Sequence, residues 1–239
     1  MKITDRYQSP ADIPAALPVF PLRNCILLPR ASLPLNIFEP RYLRMIEDVI
    51  AAERLLVIVQ PARGLQAAND DGEGHSDNEF ESPPGEVALR ATGCVGRVTA
   101  FQELDDGRVI VSLSGVARCS LTTEVKGSKP YRTFKITAEP FARDFVAGHG
   151  EDDVPREHLL ATLKRFLEAR NLKADWQSIG RSGNEQLVNS LSVMSPYGPE
   201  EKQALLEGKT LKARAEMLIA LAEMELAASG SGTPGSTLQ

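Results

Sequence analysis

The stretch at residues 17–50, LPVFPLRNCILLPRASLPLNIFEPRYLRMIEDVI, sets short β-type apolar runs between prolines and then enters one sharply started helix. Proline cannot donate to a sheet ladder, so Pro34 places its strand at an edge or a bulge. Pro40 stands where a first helical residue would, because its missing N–H is not needed there and its φ is already helical. Tyr42, Met45, Ile46, Val49 and Ile50 follow at i, i+3, i+4, i+7 and i+8, so all five share a face that must pack on a sheet.

Downstream, to about residue 141, the pattern is mostly β, with runs at 17–20, 33–37, 55–59, 87–101, 108–114, 117–124 and 132–139. Asp106-Gly107 supplies type I′ hairpin chemistry before the alternating run at 109–113. Gly93-Cys94-Val95-Gly96 matches the G-x-x-G of some RNA-binding loops in letters only. Its flanks alternate as a strand, so the glycines mark a bulge or a tight bend.

The period then changes to helical. Asp153 and Pro155 read as the cap and first turn of a helix burying Leu159, Leu163, Phe166 and Leu167. Ser182-Gly183-Asn184-Glu185 fits a reciprocal capping box for a second helix, burying Leu187, Val188, Leu191 and Met194 and stopped by Ser195-Pro196. A third starts at Pro199 with Glu200 and Glu201 and ends at Gly208 as a left-handed cap; a fourth covers about 211–227 after Thr210. The expected fold is α+β: an amino-terminal bent β-sheet or open pseudo-barrel with one inserted helix, followed by a small α-helical bundle. The expected organisation is an extension at 1–16, a β-rich subdomain at 17–146 with an acidic flexible loop at 62–86, a helical subdomain at 147–228 and a disordered tail at 229–239.

With 42% hydrophobic and 25% charged residues, the chain has material for real cores. Residues 64–86 carry seven acids and no Lys or Arg, so a net charge of −5 leaves about +2 for everything else. That near-neutral body suggests neither nucleic acid nor an anionic membrane as a partner. Cys25, Cys94 and Cys119 lack metal-type spacing and read as reduced small hydrophobes. The charged amino terminus lacks a signal-peptide apolar core and no apolar run reaches membrane-spanning length, so a soluble cytoplasmic protein is expected.

Catalytic signatures are missing from the sequence. The acidic loop does not fit the EF-hand register, since Glu73 and His75 stand two and four places after Asp71. Gly208-Lys209-Thr210 ends like a phosphate loop, but Gln203 stands where the first glycine should be and a helix precedes it. There is no G-x-S-x-G and no H-E-x-x-H, and His75, His149 and His158 read as surface residues. No catalytic residue, cofactor or metal is nominated.

The phrase Phe-Pro-Leu-Arg-Asn at 20–24, the proline-broken strand at 33–35 and Ile-Phe-Glu-Pro-Arg-Tyr at 37–42 resemble the start of the amino-terminal domain of Lon proteases. Asp175-Trp176, Leu187-Val188-Asn189 and the run at 199–207 resemble its helical half, so the likeness covers roughly residues 17–226. Arg30 departs from the family, which usually has glycine after that proline, and this implies a turn built differently. Glu39 and Arg41, inside the most recognisable phrase, read as structural: Glu39 favours the helix start and Arg41 pairs across the joint. Because the ATPase and Ser-Lys peptidase modules of Lon are not recognisable here, the resemblance implies a freestanding, non-enzymatic module. Its partners would be unfolded or extended polypeptide segments, or a protease or chaperone, in protein quality control. Phe101, Tyr131 and Tyr197 are the candidate peptide contacts. The alternatives are a hydrolase or peptidase acting without ATP, and an adaptor or self-associating scaffold for a protease or chaperone.

Overall fold

The computed structural model describes residues 6–62 and 87–230; the acidic stretch from 63 to 86 and the tail from 231 lie outside the described residues. Six strands, β1 (Ala16–Pro21), β2 (Ser32–Ile37), β3 (Leu55–Pro61), β4 (Leu89–Glu103), β5 (Val109–Val125) and β6 (Thr133–Thr137), form one sheet. Their order is β2-β5-β4-β3-β1-β6, and β6 also pairs with the far half of β5. The sheet therefore curls back on itself as an open pseudo-barrel. Only β1 and β3 are parallel; every other pairing is antiparallel.

Helix α1 (Pro40–Ala51) lies between β2 and β3 and buries Tyr42, Met45, Ile46 and Val49, with Ile50 half-buried. This face joins Phe20, Leu56, Ile58, Cys94 and Val98 in the larger apolar core, and the Phe20 and Tyr42 rings sit 4.3 Å apart. Leu55, Val57 and Val59 point the other way into a second core with Leu17, Val19, Val95 and Ile136. A run apolar at every position is what a strand covered on both faces requires.

The runs at 108–114 and 117–124 are one strand, β5, bent rather than broken. The bend falls at Gly115, where a Cβ would overlap the Leu28 carbonyl oxygen. That close approach lets Arg30 N–H donate to the Gly115 carbonyl at 2.8 Å and Gly115 N–H to the Ala31 carbonyl at 2.9 Å. The β4–β5 hairpin is also not type I′. Gly107 N–H bonds the Leu104 carbonyl and, in this turn, positive φ occurs at Gly107 but not at Asp106, so the turn ends in a glycine bulge.

Five helices follow: α2 (Arg156–Ala169), α3 (Trp176–Arg181), α4 (Asn184–Met194), α5 (Pro199–Glu207) and α6 (Leu211–Gly230). Helix α3 was not anticipated; Asp175 caps it by accepting from the amides of Gln177 and Ser178. Pro155, not Asp153, is the N-cap of α2, whose Leu159 is buried while Leu163, Phe166 and Leu167 are half-buried. The capping box of α4 does not form. Glu185 instead pairs with Arg30 and accepts from Gly148 N–H, while Glu151 accepts from the Glu185 amide at 2.7 Å. In α4, Asn189 and Ser192 are buried, Leu191 is half-buried and Met194 is exposed. Gly208 has φ −48°, so it does not end α5 in the left-handed form; its carbonyl is bonded by Arg118.

Arg30 keeps the left-handed backbone that glycine favours, with φ +62°. Its side chain explains why arginine is tolerated: besides Glu185, it donates to the Asp144 carbonyl at 2.9 Å. Left-handed backbone costs a non-glycine residue about 1–2 kcal/mol. Arg30→Ala should therefore lose the pair and keep the strain, destabilising the fold by about 2–3 kcal/mol. Arg30→Gly should cost about 1 kcal/mol less, because it relieves the backbone. Urea denaturation of both variants checks the order, which reverses if the backbone term is absent.

Candidate functional site

Strand β4 is longer than its neighbour on one side. Its pairing with β3 runs from Pro61↔Leu89 to Leu55↔Arg97, and one further bond joins Val98 N–H to the Arg54 carbonyl at 2.8 Å. Beyond that point residues 99–103 pair only with β5 among the described residues. They form, with β2 and the first half of β5, a three-stranded arm whose β4 side is an open edge.

The two outer edges of this arm differ chemically. On β2, Pro34 has no N–H to offer, which blunts that edge for further pairing. The β4 edge contains no proline between 99 and 103. Leu104 N–H bonds the Arg108 carbonyl at 2.8 Å, so alternation turns Gln102 and Ala100 toward β5 and the amides of Phe101 and Glu103 to the open side. A register shift between Val98 and Ala100 lets this outward pattern restart after the Arg54 bond.

Phe101 is 45% exposed on this edge, in the cross-strand row of Val111 and Leu35. Ile110 is exposed on the opposite face, and Phe38, also exposed, directly follows the Ile37↔Val109 pair. Phe38 and Ile110 were not among the residues singled out in the sequence. An apolar residue at the solvent parity of a strand next to a hairpin turn was the available signal for Ile110.

Tyr131 and Tyr197 are not brought to this edge. Both belong to the larger apolar core, at 6% and 8% exposure. The Tyr131 hydroxyl donates to Asp48 at 2.6 Å beside Lys129, tying the loop before β6 to α1; burial, then this bond, raises the phenol's pKa. Burial pushes the Tyr197 phenol up to about 12. Arg41 pairs with Glu39 at 2.7 Å and stacks over Tyr42, so the phrase around Pro40 closes on itself.

One buried lysine bears on hydrolytic chemistry. Burial pushes the Lys202 ammonium down to about 8, the kind of shift a Ser-Lys peptidase uses. Its Nζ, however, donates to the carbonyls of Ser192 and Val193 at 2.8 and 2.6 Å, closing the end of α4. The Ser192 hydroxyl turns away to the Val188 carbonyl at 2.8 Å. Lys202 is thus engaged as a helix cap rather than as a base. Among the described residues there is no group of three or more His, Cys, Asp or Glu able to hold a metal ion, and no helix long and apolar enough to cross a membrane.

A mixed sheet with an unpaired strand end, an exposed aromatic on it and a helical bundle behind defines an α+β domain with an open sheet edge. Comparison with known families agrees: the model of the ATP-dependent protease La (LON) substrate-binding domain matches residues 16–223, and the chain belongs to that family. The Lon protease of Anaeromyxobacter dehalogenans is 29% identical over 219 residues, covering 88% of this chain and 23% of that protein. The Lon protease of Flavobacterium johnsoniae is 25% identical, covering 90% and 25%. The chain therefore spans about a quarter of the length of these relatives. Among solved structures, the N-terminal domain of Mycobacterium avium complex Lon protease aligns with a TM-score of 0.60 at 17% identity, covering 87% of this chain and 98% of that one. The Lon N-terminal domain protein from Xanthomonas campestris aligns at 0.56 and 20% identity, covering 86% and 97%.

Lys202 also generates a pH prediction. Its pKa lies below the unfolded value of about 10.4, so between pH 8 and 10 the unfolded chain holds the extra proton and stability from this site rises with pH. The Cys25 thiol, pushed by burial up to about 11, works in the opposite sense in any variant that keeps it. The readout is therefore the difference between the parent and Lys202→Met. Denaturation should show the parent gaining about 1–2 kcal/mol on the variant from pH 8 to pH 10; a constant gap would refute the assignment.

Proposed function

We propose that this chain recognises extended polypeptide segments by taking them up as an added strand along the open edge of β4, with Phe101 as the principal side-chain contact. The observation that carries this reading is the unpaired run at 99–103 in a member of a substrate-binding-domain family. Strand addition suits a binder of many unfolded sequences, because main-chain hydrogen bonds supply affinity without regard to side chain. An exposed aromatic beside the edge adds apolar contact with little ordering cost. Binding, without bond cleavage, is the activity proposed, and protein quality control is the setting that fits it. The Lys202 geometry supports this over the hydrolase alternative, since the shifted amine is already held by two carbonyls.

Fluorescence titration with a reduced, carboxymethylated unfolded model protein tests the proposal. Saturable binding is expected, with the ligand recovered intact by mass spectrometry. Glu103→Pro removes one outward N–H and leaves the β5 ladder in place, so it should weaken binding about tenfold while the melting temperature stays unchanged. Phe101→Ser should weaken it similarly. Absence of saturable binding, or equal affinity in all three proteins, overturns the reading.

A further inference from the structure

At the point where β3 begins and the open edge of β4 takes over, the molecule holds a cleft of about 490 Å³. Its walls are the amino-terminal segment around Tyr7, the α1–β3 turn at Glu53 and Arg54, and Arg97 of β4. Arg97 is only 9% exposed, yet no carboxylate pairs with it among the described residues. One guanidinium nitrogen, Nη1, donates to the Tyr7 hydroxyl at 2.9 Å and the Glu53 carbonyl at 2.8 Å. The Nε is buried and has no partner among the described residues. Burying a guanidinium against neutral acceptors alone is costly, and an anion in the cleft would offset that cost.

Arg54 and Arg6 line the same cleft, Arg6 stacked 5.4 Å over the Tyr7 ring. Two carboxylates also line or adjoin it. Asp12 is satisfied by the amides of Gln8 and Ser9 and by the Ser9 hydroxyl, which hold its pKa down. Glu53 is exposed, and its carbonyl, not its carboxylate, is what Arg97 uses. Among the described residues lining the cleft, the cationic groups therefore outnumber the acidic ones by one.

The direction of the lane makes this cluster specific. A strand lying beside residues 99–103 antiparallel to β4 runs the same way as β3, and its carboxyl end arrives at Arg54, where β3 begins. A strand running the other way would bring an ammonium there. Resting on the strand-addition reading, we infer that this edge selects the carboxyl-terminal end of an extended polypeptide, whose free carboxylate docks in the cleft between Arg54 and Arg97.

The test uses one uncharged ten-residue peptide of alternating apolar and polar residues, made with a free carboxyl terminus and as the carboxamide. The free acid should bind the full chain at least about tenfold more tightly, as expected for charge-assisted hydrogen bonds. Arg54→Gly should close most of that gap. Because Arg54 is exposed and has φ +61°, glycine there removes the guanidinium and relaxes the backbone, so the variant should fold at least as well as the parent. Arg97→Met should close the gap further; should that variant not fold, the peptide pair and Arg54→Gly still decide. Equal binding of acid and amide, both weakened by Glu103→Pro, overturns the carboxylate inference and leaves the strand-addition reading intact. A gap that persists in Arg54→Gly overturns it as well, and no binding of either peptide overturns both.

Discussion

Arg118 is the contact on which the arrangement of sheet and helices depends. It projects from β5 and grips Asp144 with Nε and Nη2 at 2.8 and 2.7 Å, while its own amide bonds the same carboxylate at 3.0 Å. Its remaining nitrogen, Nη1, reaches the carbonyls of Leu206 and Gly208 at the end of α5, at 3.2 and 2.7 Å. A helix end buried without partners would be expensive, so the sheet's arginine serves as the C-cap that α5 lacks. Asp144 completes the charge balance. Removing either partner strands a buried charge, at a cost of about 3–5 kcal/mol. The same logic repeats from the helical side, where Arg214 of α6 bonds the carbonyls of Leu205 and Gly208 and the Asn189 amide oxygen, and Asn189 in turn donates to the Pro29 carbonyl at 3.0 Å.

These polar joints sit at one end of the sheet. Gln203 donates to the Thr92 carbonyl, Gln60 to the Pro199 carbonyl and Arg90 pairs with Glu200, so α5 covers the beginning of β4 and its neighbour β3. Residues 99–103 at the opposite end of β4 are all exposed. The bundle that stabilises the fold is thereby held away from the strand end proposed to bind. A seven-residue β3 beside a fifteen-residue β4 makes the same separation from the sheet side. The open edge is a consequence of unequal strand lengths combined with helices fixed elsewhere, and it needs no moving part.

The features legible in the sequence are those set by local chemistry. Pro40 at a helix start, the apolar face of α1, Pro34 on an edge strand and the Thr210 hydroxyl accepting from Ala213 N–H at 3.0 Å all follow from a few adjacent residues. What escaped is what distant residues decide. The capping box at Ser182 and Glu185 satisfies every local rule, yet Arg30, 155 positions away, takes the carboxylate. Asn189 and Ser192 look like the polar side of α4 and are both buried: the Pro29 carbonyl and Arg214 satisfy Asn189, and Ser192 returns its hydroxyl to the Val188 carbonyl of its own helix. Phe101 was visible as an aromatic on a strand, whereas the open edge beside it depends on where β3 starts to pair. Arg97 reads as an ordinary polar residue in an alternating strand until Tyr7, ninety positions earlier, is found to cover it.

Among the described residues two arginines occupy left-handed backbone, and they balance its cost differently. Arg30 at φ +62° recovers the strain within the fold, through Glu185 and the Asp144 carbonyl. Arg54 at φ +61° ends the turn after α1, a position where helices commonly place glycine, and its amide bonds the Val49 carbonyl at 2.9 Å. Glycine would serve that geometry at lower cost. Among the described residues, the Arg54 guanidinium makes no hydrogen bond or ion pair that repays the choice, and it lines the cleft beside Arg97. Strain that the fold does not recover is the mark of a residue kept for something outside the fold, so the backbone of Arg54 supports the carboxylate site independently of the buried Arg97 nitrogen.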